Sequence, residues 1–233
     1  HYFAATEESA ANLAYWGVPA RDISVSGIPV HPVFSRRKDR LRCLRNQGLR
    51  GERPILLLLS GGFGVGPIEQ IFFSLLALNV AVEIVVVCGR NDALRERLNR
   101  APAVPRHRVT IVGFTEAIDE LMAAADVVIS KPGGLTSAEV VCCGGAMLIV
   151  NPIPGQESRN ADFLLESGAA VKVGHLATLN YKLNALLSSP RRLARLKVNA
   201  RRIARPQAAY AVAFKVLAML GHSPRRTRQR RRP

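Results

Sequence analysis

The chain has 233 residues, 48% of them apolar, and a formal net charge of +16, so it is long enough to bury the core of one large domain or two small ones. Its longest unbroken apolar runs, such as residues 55–59, are far shorter than the ~20 residues that a membrane-spanning helix needs, so we expect no transmembrane segment. The sequence does not open with a charged region followed by an apolar one, so we expect no signal peptide. The four cysteines form no C-x-x-C pair and the five histidines no i, i+4 pair, which argues against a metal site and favours free thiols in a reducing cytoplasm.

The charge is unevenly distributed along the chain. Residues 1–166 contain 17 basic and 17 acidic side chains, whereas residues 167–233 contain 16 basic side chains and no acidic one. This asymmetry predicts an anionic partner, either nucleic acid or an anionic membrane surface. The alternative is a solvated basic helix followed by a disordered tail.

The first 53 residues precede the main pattern of the sequence. Within 1–30 we predict a short helix at 9–17 and a strand at 23–27, and we interpret the stretch as the end of a preceding domain. Residues 31–53 form a charged connecting segment.

From residue 54 onward, short apolar runs alternate with segments of helical length. The runs are nearly continuous rather than alternating, which is typical of strands buried on both faces of a parallel sheet. They lie at 55–60, 83–89, 108–114, 126–130, 146–152 and 169–174. The predicted helices lie at 67–78, 91–100, 116–125, 135–144 and 157–167. This order predicts an α/β fold with a Rossmann-like, doubly wound parallel sheet.

The C-terminal part is predicted to be helical and basic. Residues 191–205 form a basic amphipathic helix with Leu193, Leu196 and Ile203 at helical spacing, a face suited to lying in a lipid headgroup layer. A further helix is expected at 208–220. Residues 191–222 are therefore assigned to C-terminal helices and the arginine-rich residues 223–233 to a disordered tail.

The glycine-rich segments all follow predicted strands, so in a parallel sheet they share the carboxyl edge, where open α/β sheets bind ligands. SGGFGVG at 60–66 suits a backbone that approaches a phosphate at a helix N-terminus. Its glycines match neither a Walker loop nor G-x-G-x-x-G, and Glu83 comes too early in its strand to hold an adenosine ribose, which disfavours a dinucleotide dehydrogenase. The alternative is a tight glycine turn.

The segment SKPGGLTSAEVV at 130–141 allows two interpretations. Thr136 and Glu139 fit the T-x-x-E pattern of a helix capping box. In the second interpretation, Gly133 and Gly134 let the backbone approach a diphosphate, and Glu139 accepts hydrogen bonds from a ribose diol. The following NPIPGQESRN at 151–160 offers carboxylate and amide groups suited to sugar hydroxyls, or else only a polar helix start.

Five motifs carry a resemblance to a known family. GGFGVGPIE, VVVCGRN, VGFTE, DVVISKPGGLTSAE and NPIPGQESRNADFLLESGAA closely resemble the C-terminal domain of family-28 glycosyltransferases. The nearest branch looks like the monogalactosyldiacylglycerol synthases and diacylglycerol glucosyltransferases, and the likeness covers roughly residues 1–180. It implies a GT-B fold with two Rossmann-like domains, in which residues 54–190 bind a UDP-sugar and 1–30 end the domain that binds a lipid acceptor such as diacylglycerol.

The resemblance also implies roles for single residues and favours the ligand interpretation of 130–141, with helix capping as a second role for Thr136. The residues implied to face the diphosphate are Gly62, Phe63, Gly64, Val65, Gly66, Gly134, Leu135 and Thr136. The uracil is read by the backbone at Phe114 and the ribose is held by Glu139. The transferred sugar contacts Gln156, Glu157 and Asn160.

The implied chemistry is inverting transfer of a hexose to a lipid at the cytoplasmic face of a membrane, without a metal, since no D-x-D occurs. No catalytic residue is assigned, because the family keeps its base in the N-terminal domain, which is nearly absent here. Two alternatives are a UDP-sugar epimerase of similar build and a nucleic-acid-binding protein that uses the arginine-rich end. Against the latter, the tail has no interleaved aromatic residues for base stacking.

Overall fold

The computed structural model describes residues 1–60 and 67–221. These divide into two compact units, one from Val33 to Ala204 and a smaller one that combines His1–Pro32 with the chain from Arg205 onward. The strands are β1 (Tyr2–Ala4), β2 (Ile23–Val25), β3 (Ile55–Leu59), β4 (Glu83–Val87), β5 (Arg108–Val112), β6 (Val127–Ser130), β7 (Ala146–Val150) and β8 (Ala170–Val173).

The helices follow the strands in alternation over most of the larger unit. They are α1 (Glu7–Tyr15), α2 (Pro32–Ser35), α3 (Arg40–Asn46), α4 (Ile68–Leu76), α5 (Asp92–Asn99), α6 (Ile118–Ala124), α7 (Gly134–Cys142), α8 (Gln156–Glu166), α9 (Leu179–Leu187), α10 (Pro190–Ile203) and α11 (Ala208–Met219). Two short 3₁₀ turns cover Ala20–Asp22 and Leu176–Thr178.

The larger unit is built on a six-stranded sheet in the order β5-β4-β3-β6-β7-β8, with every pairing parallel. All five residues of β3 are buried. Leu56 and Leu58 pack into the hydrophobic cluster on one face and Leu57 and Leu59 into the cluster on the other, because successive side chains of a strand point to opposite faces. The predicted doubly wound, Rossmann-like parallel sheet is confirmed.

The strand order reverses direction next to β3. From β3 the chain adds β4 and then β5 on one side, and then it returns to the other side of β3 to add β6, β7 and β8. Helices α4 and α7, which follow β3 and β6 in the chain, therefore pack on opposite faces of the sheet. Such a reversal opens a crevice at the carboxyl edge, and that crevice is where open α/β sheets bind ligands.

Asp126 ties the opposite, amino edge of the sheet together. Its carboxylate accepts hydrogen bonds from the Ile55 backbone N–H at 3.0 Å and from the Arg40 guanidinium at 3.0 Å, and it lies 3.3 Å from Lys197 Nζ. The carboxylate thus joins strand β3 to helices α3 and α10, which are far apart in sequence.

Helix α10 packs its apolar face into the larger unit. Leu196 and Ala200 are buried, and Leu193 and Ile203 pack against the two core clusters. The prediction that this face lies in a lipid headgroup layer is therefore wrong, because burial against the sheet and its helices already satisfies it. What α10 leaves exposed is its basic face.

The smaller unit consists of the parallel pair β1–β2 with α1 and α11. An ion pair of 3.5 Å joins Glu7 to Arg205. Several apolar side chains of α11 are exposed, among them Phe214 at 52% and Met219 at 58%. Over residues 1–60 and 67–221, no helix is both long and apolar enough to cross a membrane.

Candidate functional site

The crevice lies where strands β3 and β6 end. Ser60 and Ser130, at these two ends, are both buried. The loop after Ser60 contains the predicted diphosphate residues Gly62, Phe63, Gly64, Val65 and Gly66, which all lie outside the described residues. The site is therefore built here from the loops that follow β4, β5, β6 and β7.

The loop after β6 leads into the N-terminus of helix α7. Gly133 is the N-cap residue, with φ −60° and ψ 147°, and it supplies no side chain to the helix end. The first α-helical hydrogen bond runs from the Ser137 N–H to the Gly133 carbonyl at 2.9 Å. The backbone N–H groups of Gly134, Leu135 and Thr136 precede that bond, so they are the orphan donors of the first turn, next to the positive end of the helix dipole. Such an end suits a phosphate.

The structure corrects the predicted capping box. Thr136 is the third residue of α7 rather than its N-cap, and no side chain among the described residues caps this helix. Glu139 lies in the second turn, beyond the reach of an N-terminal N–H. Capping therefore explains neither residue, and the second role predicted for Thr136 is wrong.

Glu139 is a partly buried carboxylate for which the described residues provide no partner. Within the described part of the chain, its side chain makes no hydrogen bond and no ion pair, and burial raises its pKa above the ordinary value of glutamic acid. It lies four residues after Leu135, whose side chain is 60% exposed, and therefore shares that face of the helix. Because desolvated carboxylates are normally paired, this one is suited to a ligand that donates hydrogen bonds.

The loop after β7 provides the predicted sugar-binding residues, and two of them also hold the site together. The Glu157 carboxylate accepts a 2.8 Å hydrogen bond from the Ile153 backbone N–H. The Asn160 amide donates a 2.9 Å hydrogen bond to the Pro132 carbonyl and thereby fixes this helix to the loop before α7. Gln156 is exposed at the first position of α8. The structure thus places Asn160 against the loop before α7, with Gln156 and Glu157 in the preceding turn of the same helix.

Phe114 lies at the far side of the same edge, after the outermost strand β5. Its ring is 63% exposed, and the Arg90 guanidinium carbon stands 5.3 Å from the ring centroid. Arg90 follows β4 and Phe114 follows the adjacent strand β5, so the contact joins the loops after these two strands. Arg90 was not predicted as a site residue, although its place in the CGRND loop after β4 was the signal for it.

The predicted site residues thus extend from the end of β5 to the end of β7. Four strand intervals of ~4.8 Å separate these ends, so the edge is about 19 Å long. Aromatic, basic, backbone-amide and carboxylate groups follow one another along it. Among residues 1–60 and 67–221, no group of three His, Cys, Asp or Glu side chains is placed to hold a metal ion.

A sequence model of the glycosyltransferase family 28 C-terminal domain matches residues 68–210, which is more than half of the chain. The chain belongs to this family. It is also 32% identical over 198 residues to the processive diacylglycerol beta-glucosyltransferase of Bacillus pumilus (strain SAFR-032), an alignment that covers 85% of this chain and 52% of that protein. The chain therefore spans about half the length of the curated relatives it matches.

Solved structures share the fold of this family 28 chain. The Anabaena protein HepE in complex with UDP-glucose is 18% identical, with a TM-score of 0.61 over 93% of this chain and 63% of that one. A UDP-N-acetylglucosamine 2-epimerase is also 18% identical, with a TM-score of 0.64 over 94% of this chain and 57% of that one. Because both a UDP-glucose complex and an epimerase match at this level, the likeness establishes the Rossmann-like, GT-B-type architecture and not the reaction.

Proposed function

We propose that this chain supplies the donor half of a glycosyltransferase, binds a UDP-sugar at the carboxyl edge of the sheet, and serves inverting hexosyl transfer to a lipid acceptor such as diacylglycerol. The observation that carries the proposal is the reversal of strand order between β3 and β6. Beside it lie the α7 N-terminus and Glu139, for which residues 1–60 and 67–221 provide neither a side-chain cap for the helix nor a partner for the carboxylate. The relatives named as diacylglycerol glucosyltransferases and the neighbour that holds UDP-glucose support the substrate classes.

In this proposal each group of the edge meets one part of the donor. The orphan amides of Gly134, Leu135 and Thr136, together with the glycine loop after β3, receive the diphosphate. Glu139 accepts hydrogen bonds from the ribose hydroxyls, and the loop at Phe114 receives the uracil. Gln156, Glu157 and Asn160 contact the hexose, with the carboxylate and amide oxygens that the internal hydrogen bonds leave free.

The same groups would stabilise the leaving group. An acceptor hydroxyl attacks the anomeric carbon and gives its proton to a base outside this chain, the bond from that carbon to the diphosphate oxygen breaks, and negative charge builds on the departing UDP. Backbone amides aimed at the diphosphate stabilise that charge without having to reorganise. The proposal needs no metal ion at this half of the site, and it assigns no catalytic base to this chain.

We expect UDP or a UDP-hexose to bind at least about tenfold more tightly than NAD, a difference of about 1.4 kcal/mol. Glu83, the acidic residue of the second strand of the sheet, is buried at the amino edge, where it accepts hydrogen bonds from the backbone N–H groups of Arg50 and Gly51 at 3.3–3.4 Å. It is therefore too far from the crevice to hold an adenosine ribose. Titration calorimetry with both ligands measures the difference, and equal affinity for NAD would contradict the proposal.

The epimerase alternative also predicts UDP-sugar binding, so binding alone does not separate it from transfer. Incubation of a UDP-hexose and diacylglycerol with the chain joined to the N-terminal half of one of its diacylglycerol glucosyltransferase relatives separates the two. A glycosylated lipid and free UDP are expected for transfer, whereas an isomerised UDP-sugar without lipid product is expected for epimerisation. The family 28 match favours transfer.

We also propose that the basic C-terminal end holds the protein peripherally on an anionic membrane, at the cytoplasmic face. The chain after Glu166 has 16 basic and no acidic residues, and six arginines lie in 225–232. Each basic residue near an anionic surface contributes about 1 kcal/mol, an attraction that salt screens. A nucleic-acid partner for the same charge is the alternative.

A chain that ends at Gly221 is expected to lose most of its binding to anionic vesicles at low salt, whereas the full chain should sediment with them. Cutting at Gly221 spares the buried Leu196 and Ala200, so the sheet domain stays intact. Neutral vesicles are the control, and neither chain should bind them. If the shortened chain sediments as well as the full one, the tail is not the attachment.

A further inference from the structure

A basic groove opens at the amino edge of the sheet, on the side away from the crevice. It has a volume of about 660 Å³ and is lined by the segment between α2 and α3, the C-terminal ends of α6 and α7, and helix α10. Six of its lining residues are cationic, namely Arg36, Arg37, Lys38, Arg40, Lys197 and Arg201, and none is acidic. We call these six residues and the space between them the basic groove.

Carboxylates behind the basic groove neutralise only half of its cations. Lys38 pairs with the buried Asp119, and Arg40 and Lys197 share Asp126 at 3.0 and 3.3 Å. None of the ion pairs between described residues includes Arg36, Arg37 or Arg201. Three arginines that line one groove thus have no carboxylate partner among the described residues, and like charges so placed repel one another.

The groove wall leaves room for Arg201 and adds no negative charge beside it. The Arg201 side chain lies against Gly144, where a Cβ atom built on the glycine would come within 2.7 Å of the Arg201 Nε atom. Gly144 has φ +68°, a conformation that glycine adopts without strain. The neighbouring Cys143 thiol adds no negative charge, since burial raises its pKa to about 12.

We propose that the basic groove binds a phosphate group carried on a larger molecule, independently of the donor site. Planar guanidinium groups match phosphate oxygens with paired hydrogen bonds, and an anion would relieve the repulsion among the unpaired arginines. The groove volume falls within the range of small-molecule sites, so it has room for more than a bare ion. The phosphate could belong to a soluble phosphate ester or to a lipid headgroup.

A matched pair of triple variants tests the groove. Arg36→Gln, Arg37→Gln and Arg201→Gln together remove its unpaired charges. Arg191→Gln, Arg192→Gln and Arg202→Gln together remove the same charge from exposed positions of α10 that do not line the groove. Both variants keep the donor site and the tail, and each loses three positive charges, the control losing more of them from the basic C-terminal end. A larger loss of binding in the groove triple therefore reports the groove.

Each full-length variant is titrated with glycerol 3-phosphate by calorimetry and is sedimented with phosphatidylglycerol vesicles. A Kd for glycerol 3-phosphate at least about tenfold higher in the groove triple than in the control triple supports a soluble phosphate ester. A loss confined to the vesicle measurement supports a lipid headgroup. Equal behaviour of the two triples in both measurements would overturn the proposal. Circular dichroism checks folding, and should the groove triple unfold, single Arg201→Gln against Arg202→Gln decides by the same criteria.

Discussion

Replacement of Glu139 by glutamine is expected to weaken UDP binding by about 1–3 kcal/mol, which is a rise in Kd of roughly 5- to 150-fold. Glutamine keeps the size of the side chain but replaces a charged acceptor of two hydrogen bonds by a neutral amide. The carboxylate has no partner among the described residues, so no structural contact is lost with it. Titration calorimetry with UDP measures the change.

The matched control is Glu96→Gln, which makes the same chemical change on the exposed surface of α5, where Glu96 pairs with Arg100 at 3.7 Å. This control is expected to bind UDP like the unmodified chain. If a folded Glu139→Gln protein also binds UDP with unchanged affinity, Glu139 does not hold the ribose and is not part of the donor site.

The stability of the same variant provides a second measurement. Burial raises the pKa of Glu139 in the folded state, so between the ordinary pKa of glutamic acid and that raised value the folded state binds more protons than the unfolded state. The stability that this group contributes is therefore lost as the pH rises through that window. Glutamine does not ionise, so the variant is expected to melt at a higher temperature than the unmodified chain at pH 7. The gap should narrow on acidification, and thermal unfolding at several pH values measures it.

The largest loss of stability is expected from Asp126→Ala, at about 2–3 kcal/mol. The substitution leaves the Ile55 N–H without its side-chain acceptor and separates Arg40 and Lys197 from their shared carboxylate. Removing one member of a buried charge network costs about 3–5 kcal/mol, and the lower value here allows for the 21% exposure of the Asp126 side chain.

Urea unfolding of the Asp126→Ala protein measures this loss as a lower midpoint. Glu96→Ala breaks only the exposed ion pair of α5 and is expected to change stability by less than about 0.5 kcal/mol. An Asp126→Ala midpoint equal to that of the control would show that solvent replaces the lost contacts and that Asp126 does not tie the amino edge together.

Local sequence patterns predicted the fold and one edge of the site. Continuous apolar runs such as ILLLL at 55–59 specify strands that are buried on both faces, and the glycine-rich segments after them were predicted to share one edge. Both expectations hold for the described residues, because they depend on the identity of neighbouring residues and on the geometry of any parallel sheet. The resemblance of five short motifs added the residue assignments, which stay predictions for UDP contacts.

The spacing of Thr136 and Glu139 led to a wrong prediction of a helix cap, because contacts outside helix α7 fix where that helix starts. T-x-x-E at 136–139 has the pattern of a capping box, yet α7 begins at Gly134, two residues before Thr136. Strand β6 ends at Ser130 and Pro132 follows almost at once, so the chain turns into the helix at the glycines that come next. The start of the helix is set by the position of β6 in the sheet, which no pattern within the helix contains.

By itself, the sequence determined the order of strands and helices from β3 to α8, the burial of the sheet strands and the uneven charge, because each of these depends on local composition. It did not show the helices α2 and α3 within the predicted connecting segment 31–53, nor β1 and α9. Only the tertiary structure decided where the amphipathic face of α10 goes and which arginines share a groove. Arg36 and Arg201 are 165 positions apart in the chain, and they line one cavity because α10 packs against the sheet beside the segment before α3. Contacts between such distant residues follow from the packing of whole helices and strands, and the spacing of neighbouring residues does not predict that packing.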